Sequence, residues 1–226
     1  MKPVGILGGM GPEATILLMQ KVLSAIPAQD DADHVPLIVH QNPQVPSRIK
    51  ALIDGDGQDP MPVLMSMAQD LERAGAQALA MPCNTAHHYA VAVANATSLP
   101  FLDMIELTAR HLGETGAGTV GMLASPATRK VGVFDTKFDA HDLKPLWADD
   151  EDDLLDIIRA VKAGSDLTTL APHMGRIAAG MADKGADHLL IACTELSLMS
   201  ESLPDAIPYT DSLDCLVKAV VDFSTK

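Results

Sequence analysis

The chain has 226 residues, 47% hydrophobic and 20% charged, and its 16 basic against 30 acidic side chains leave a net charge of −14. That apolar content excludes disorder, the lack of an apolar run of about 18 residues excludes a membrane-spanning helix, and the missing basic face excludes nucleic acid as a partner. A chain this long can bury roughly 70% of its unfolded surface, so its core needs no disulfide staples.

Short apolar runs alternate with longer amphipathic stretches. Met1-Lys2-Pro3 leads straight into a strand-like segment at 4–8, without the pattern of a secretory leader. The turn Gly8-Gly9-Met10-Gly11 follows, and Pro12, suited to a first helical position, opens a helix over 12–26. Further strands are predicted at 36–40, 78–81, 100–103, 119–123 and 188–192. Further helices are predicted at 60–74, 85–94, 105–112, 150–163, 168–184 and 212–224. Residues 27–33 and 54–62 are polar loops, and Gly75, Gly113, Gly164 and Gly185 stand where a left-handed residue would end a helix. The acidic run at 149–153 precedes a helical pattern, where carboxylates complement the helix dipole, so it is a solvated helix start rather than a catalytic cluster. Strand–helix alternation with continuous apolar strands indicates an α/β fold with parallel sheets covered on both faces.

The chain repeats itself once. Val4-Gly5-Ile6-Leu7 returns as Val120-Gly121-Met122-Leu123, 116 residues later. The stretch from Gly75-Ala76 to Cys83-Asn84-Thr85 returns 110 residues on, as Gly185-Ala186 to Cys193-Thr194-Glu195. In each copy a helix ends, a strand follows, and a cysteine comes at the strand's carboxyl end. Two pseudo-symmetric, doubly wound lobes are expected, 1–113 and 114–211, with the last helix (212–226) packing back on the first lobe.

Ligands of open α/β sheets bind beyond the carboxyl ends of the strands. The glycine turn at 8–11, Cys83-Asn84-Thr85 and Cys193-Thr194-Glu195 all fall there. A lone cysteine after a strand is commonly just a small buried apolar residue. Two at equivalent places in a repeat, each before a polar helix start, would instead face one another across a cleft and could exchange a proton with either side of a planar intermediate. Helix starts after both cysteines predict lowered thiol pKa values. Cys215 lies on a helix face and is structural. With three cysteines, no CxxC and no HExxH, neither a disulfide framework nor a metal site is expected, and the setting is that of a reduced, cytoplasmic protein. The turn at 8–11 is neither a Walker loop nor GxGxxG. It presents backbone N–H groups at a helix start, which favour a small anion such as a carboxylate.

Four ordered motifs resemble the aspartate/glutamate racemase family on its aspartate racemase branch: Gly8-Gly9-Met10-Gly11-Pro12-Glu13-Ala14-Thr15, Asn42-Pro43-Gln44-Val45-Pro46-Ser47-Arg48, Pro82-Cys83-Asn84-Thr85-Ala86-His87 and Cys193-Thr194-Glu195-Leu196. The resemblance implies a racemase needing no cofactor, two pseudo-symmetric α/β lobes with the site in their cleft, an amino-acid substrate and a homodimer. It implies Cys83 and Cys193 as the acid/base pair and Arg48 as the contact to a substrate carboxylate. Met10, Asn84, Thr85 and Thr194 fall at substrate-binding loop positions, and Lys162 is the candidate second cation. Gly9, Gly11, Asn42, His87, Glu195 and Thr128 are supporting candidates, His87 and Glu195 as groups that orient or poise the thiols. Ser47 stands where the family often has Asp, and the loop at 124–129 keeps only Thr128 of its usual pattern. A broad-specificity racemase, a maleate-isomerase-like enzyme, a non-catalytic binder of small acids and a thiol redox protein remain alternatives.

Overall fold

A computed structural model describes residues 1–149 and 151–226. The chain enters through β1 (Val4–Gly8) and α1 (Pro12–Ser24), then β2 (Leu37–Gln41), α2 (Met61–Arg73) and β3 (Ala78–Ala80). Next come α3 (Ala90–Asn95), β4 (Phe101–Leu102) and α4 (Met104–Thr115). The second half runs β5 (Thr119–Ala124), α5 (Pro126–Lys130), α6 (Asp135–Asp139), β6 (Lys144–Trp147), α7 (Glu151–Lys162), α8 (Leu167–Asp183), β7 (His188–Ala192), β8 (Tyr209–Asp211) and α9 (Ser212–Thr225). Two four-stranded sheets result, ordered β2-β1-β3-β4 and β6-β5-β7-β8, with every pairing parallel. The order is the same in both, as the repeat requires.

Period-two alternation sends neighbouring strand residues into different cores. Val4 and Ile6 of β1 join Leu18 of α1 and Leu213, Leu216 and Val220 of α9. Leu7 faces the other way, with Leu64, Met67 and Leu71 of α2. In β7, Leu189 and Ile191 pack under Ile158 of α7 and Met174 and Met181 of α8. Leu190 and Ala192 pack with Ile105, Ala109 and Leu112 of α4 and Phe138 of α6. The repeated Gly5 and Gly121 explain how closely the helices approach. A Cβ on Gly5 would lie 3.1 Å from Leu71 Cβ of α2, and one on Gly121 would lie 3.1 Å from Met181 Sδ of α8.

The two linking helices are exchanged. α4 leaves the first sheet and covers a face of the second, whereas α9 leaves the second and covers a face of the first. The two also pack against each other.

Several predicted boundaries need correction. Helix α4 continues through Gly113 to Thr115, and Gly116, at φ +79°, is the left-handed residue that ends it. The stretch 85–94 is not one α-helix: a 3-10 segment, Thr85–Tyr89, precedes α3. Strands β6 and β8 had no counterpart among the predicted elements. Of the acidic run, Asp150 lies outside the described residues, Glu151, Asp152 and Asp153 occupy the first turn of α7, and Asp149 pairs with Lys184.

Candidate active site

Three loops meet where the strands of both sheets end. After β1 the chain turns at Gly9, at φ +92°, with its backbone pressed on Asn42. A Cβ there would lie 2.4 Å from the Asn42 carbonyl carbon, so the turn admits only glycine. Thr15 Oγ1 accepts the Gly9 N–H at 2.9 Å and Gly11 caps α1, which holds Met10 against the cleft. The chain leaving β3 delivers Cys83, and the chain leaving β7 delivers Cys193; each is 8% exposed.

Both cysteines line one cavity of about 30 Å³, together with Met10, Arg48, Asn84, Thr85, Lys162, Thr194 and Glu195. That is room for a water or two, and far too little for an amino acid. Hydrogen bonds cross between the lobes around it. Thr194 Oγ1 donates to the Pro82 carbonyl at 3.2 Å, and Thr85 Oγ1 lies 3.2 Å from Ser125 Oγ and 2.9 Å from Thr128 Oγ1. Asn84 Nδ2 donates to Ser212 Oγ at 3.0 Å, while the buried Asn84 Oδ1 has no partner.

The Cys193 thiol donates to Glu195 Oε2 at 3.1 Å. Glu195 Oε1 lies 3.1 Å from Lys162 Nζ, which reaches the cavity from the last turn of α7. Burial pushes the Cys193 thiol well above its ordinary pKa, the Glu195 carboxylate adds to the rise, and Lys162 opposes both. This corrects the expectation of a lowered pKa at this thiol. The first turn beyond Cys193 is too short a dipole to offset burial beside a carboxylate. For Lys162, burial alone would lower the pKa. The negative charge of Glu195, ahead of the neighbouring sulfurs of Cys193 and Cys83, outweighs it, so the ammonium form is favoured.

His87 is buried and neutral in its hydrogen bonding. Its Nδ1 lies 2.8 Å from the Cys83 carbonyl oxygen and so donates, while Nε2 accepts the Met104 N–H at 3.1 Å. Burial lowers its pKa, with Asp103 acting against that. The imidazole therefore grips the backbone of Cys83 rather than its thiol.

The sequence profile of the Asp/Glu/Hydantoin racemase family matches residues 7–220. The chain belongs to this family. An aspartate racemase of Picrophilus torridus is 31% identical and superposes with a TM-score of 0.89, covering 100% of this chain and 95% of that one. A broad-specificity amino-acid racemase of Bacillus subtilis is 26% identical over 96% of each chain. At 16% identity, a Francisella tularensis glutamate racemase solved with D-glutamate shares the fold, with a TM-score of 0.67 over 98% of this chain and 80% of that one.

In this member of the Asp/Glu/Hydantoin racemase family, Cys83, Cys193, Met10, Arg48, Asn84, Thr85, Lys162, Thr194 and Glu195 come together at the cavity. Thr128 and Gly11 stand just behind it: Thr128 bonds Thr85, and a Cβ on Gly11 would lie 3.6 Å from Glu195 Oε1. Asn42 is turned away, its Oδ1 accepting from Gln44 N at 2.9 Å. Arg48 lines the cavity with its Nη1 bonded to the Val45 and Pro46 carbonyls at 3.1 and 2.8 Å. Ile49, Ser125 and Ile158, which were not among the candidates, also line the cavity, as does Ser47, which the motifs marked only as a departure. Cys215 lies apart, its thiol pushed up to about 11 by burial. Among the described residues no helix is long and apolar enough to cross a membrane, and no cluster of His, Cys, Asp and Glu is suited to a metal.

Proposed function

We propose that the chain interconverts the L and D forms of an acidic amino acid, aspartate first, by moving the α-proton between Cys83 and Cys193. The observation that carries this reading is the presence of both cysteines, from equivalent strands of two like-ordered sheets, on the wall of a single cavity.

The reaction has two half-steps. A thiolate on one face removes the α-proton, breaking the C–H bond and forming S–H. The electron pair is left delocalised into the substrate carboxylate. The thiol on the opposite face then delivers its proton to the α-carbon and becomes a thiolate. Cys193, with its S–H directed at Glu195, is the donor in the arrangement described, which makes Cys83 the base for the enantiomer whose α-hydrogen faces it. The roles reverse for the mirror-image substrate.

Ammonium donors of the substrate suit the unpartnered Asn84 Oδ1. The α-carboxylate, which gains charge in the transition state, suits Lys162 and the hydroxyls of Thr85 and Thr194, since fixed cationic and hydrogen-bonding groups in a dry site favour developing charge. Arg48 binds the side-chain carboxylate in a charge-assisted fork once it leaves the Val45 and Pro46 carbonyls. The chemistry asks for no cofactor, and activity that survives dialysis and chelator is part of the reading. We assign the acting unit as a homodimer, testable by sedimentation.

A second reading, a racemase of broad specificity, is favoured by the Bacillus subtilis relative and by the engagement of Arg48 with its own loop. One experiment separates the two. The protein is incubated in D₂O with each enantiomer of aspartate, of glutamate and of a neutral panel, and chirality and deuterium are followed together. The first reading expects inversion with deuterium gain confined to the acidic amino acids, whereas comparable rates on neutral ones establish the second. Inversion of none, or addition products that keep the α-hydrogen, would sink both.

A further inference from the structure

Two thiols exchange protons through one substrate only if their separation is fixed, yet each sits in a loop, and the loops belong to different sheets. The start of α9 touches both. Ser212, fully buried, accepts the hydrogen bond of Asn84, the neighbour of Cys83. Asp211, the preceding residue and the cap of the same helix, accepts from Ser197 Oγ at 2.9 Å and from the Leu213 N–H at 2.8 Å. Ser197 lies four residues beyond Cys193, in the 3-10 segment Leu196–Ser202 that continues from the cysteine loop.

The first lobe offers the comparison. At its equivalent junction Asp103 caps α4. Among the described residues, the hydrogen bonds of that helix start lead to its own lobe's cysteine loop, through the Met104 N–H, His87 and the Cys83 carbonyl. Both helices cross onto the other lobe's sheet, but at the second junction Ser212 stands where the first has Met104, and its hydroxyl meets Asn84 of the opposite lobe. Residues 211 and 212 are adjacent along the backbone, and a planar peptide between them leaves little play.

We infer that Asp211 and Ser212 are positioning residues that register the two thiols to each other, Ser212 through Asn84 to the Cys83 loop and Asp211 through Ser197 to the Cys193 loop. This rests on the two-thiol reading of the site. Neither residue lines the cavity, so their action is indirect, on geometry and not on substrate contact.

The test uses the full chain carrying Ser212→Ala, Ser197→Ala, Asp211→Ala or Asp211→Asn. Racemisation kinetics are combined with the rate at which iodoacetamide labels each cysteine, read peptide by peptide by mass spectrometry. Ser212→Ala is expected to lower kcat by about 10- to 100-fold, the scale of a misplacement of the order of 1 Å. It should alter labelling of Cys83 and leave Cys193 as it was. Ser197→Ala and Asp211→Ala are expected to do the reverse, altering Cys193 alone. Asp211→Asn keeps an acceptor oxygen for Ser197 and restores most of what Asp211→Ala loses. Should Asp211→Ala not fold, Ser197→Ala removes the same hydrogen bond from its other end. An unchanged kcat, or equal changes at both thiols, overturns the inference. Failure of the two-thiol reading appears separately, as racemisation that persists in Cys83→Ala or Cys193→Ala, while labelling still reports whether each loop has moved.

Discussion

Cys83 and Cys193 occupy equivalent places, yet the side chain two residues on differs: Thr85 after one, Glu195 after the other. Glu195 holds the Cys193 proton and pairs with Lys162, so the second-lobe thiol is poised as an acid. Replacing Glu195 by Gln removes the negative charge that raises the Cys193 pKa, although burial still raises it. The Cys193 pKa is therefore expected to fall, and alkylation of that thiol should gain rate at lower pH than in the parent. An unmoved profile would place the carboxylate's influence elsewhere. The cysteines can be separated in the same way. Cys83→Ala and Cys193→Ala should each lose racemisation by about 10²–10⁴-fold, the usual weight of a general acid or base. Each should still exchange the α-hydrogen of one enantiomer with D₂O, with retention, and the two variants should choose opposite enantiomers. Exchange of the same enantiomer by both would refute the facing-walls arrangement.

At the scale of elements, the β8–α9 junction carries a titration. Burial and the neighbouring Asp214 raise the Asp211 pKa to about 6, against the Leu213 N–H, the Ser197 hydroxyl and Lys21, which lower it. Lys21 Nζ lies 3.9 Å away. A carboxyl with a raised folded-state pKa binds its proton more tightly folded than unfolded. From pH 4 to 6, about the interval between its ordinary and its folded values, its contribution to stability thus falls as pH rises, and above that it stays at its least favourable. Asp211→Asn removes the effect. The variant is expected to melt higher than the parent at pH 7, by at most about 3 kcal/mol of stability, and the advantage should shrink as pH falls below about 6 and be small near pH 4. A constant difference across that range would contradict the assignment.

The same junction shows what the sequence made legible. The central strands β1, β3, β5 and β7 are buried on both faces and read as continuous apolar runs, so they stood out. β6 is an edge strand beginning Lys144-Pro145, and its exposed start and proline, tolerable at an edge, hid it. β8 has only three residues, Tyr209–Asp211. Yet Pro208-Tyr209-Thr210-Asp211 repeats the pattern of Pro100-Phe101-Leu102-Asp103, which would have marked both β8 and its capping aspartate. Of the site, the two cysteines, Lys162 and Glu195 were readable because strand ends and helix ends are local features. Ile158 was not, since an apolar residue on α7 reads as core, and Ser212 was not, since only the crossing of α9 brings it beside Asn84.

For the molecule as a whole, the cavity and the cross-lobe bonds describe a closed cleft. Substrate entry has to part the bonds of Thr194 to Pro82 and of Thr85 to Ser125 and Thr128, or shift the Arg48 loop. The stretch 45–54 carries Arg48 and is held to α5 through Lys130 Nζ on the Ile53 carbonyl at 3.1 Å. Saturating aspartate is therefore expected to slow amide hydrogen exchange across 45–54 and 193–202, with little change in the central strands. Uniform protection, or none, would indicate that substrate enters without displacing that loop.

The exchange of α4 and α9 has a consequence for synthesis on the ribosome. Val4 and Ile6 pack beneath Leu213, Leu216 and Val220, so a strand is covered by a helix made long after it. At about 5–20 residues per second, roughly 10–40 seconds of synthesis separate the two. Over that interval α1 covers its part of the face of the first sheet and the part that belongs to α9 stays open. The nascent chain carries that apolar surface until α9 emerges, and its dependence on holding chaperones should be set by α9 rather than by the strands of the first sheet.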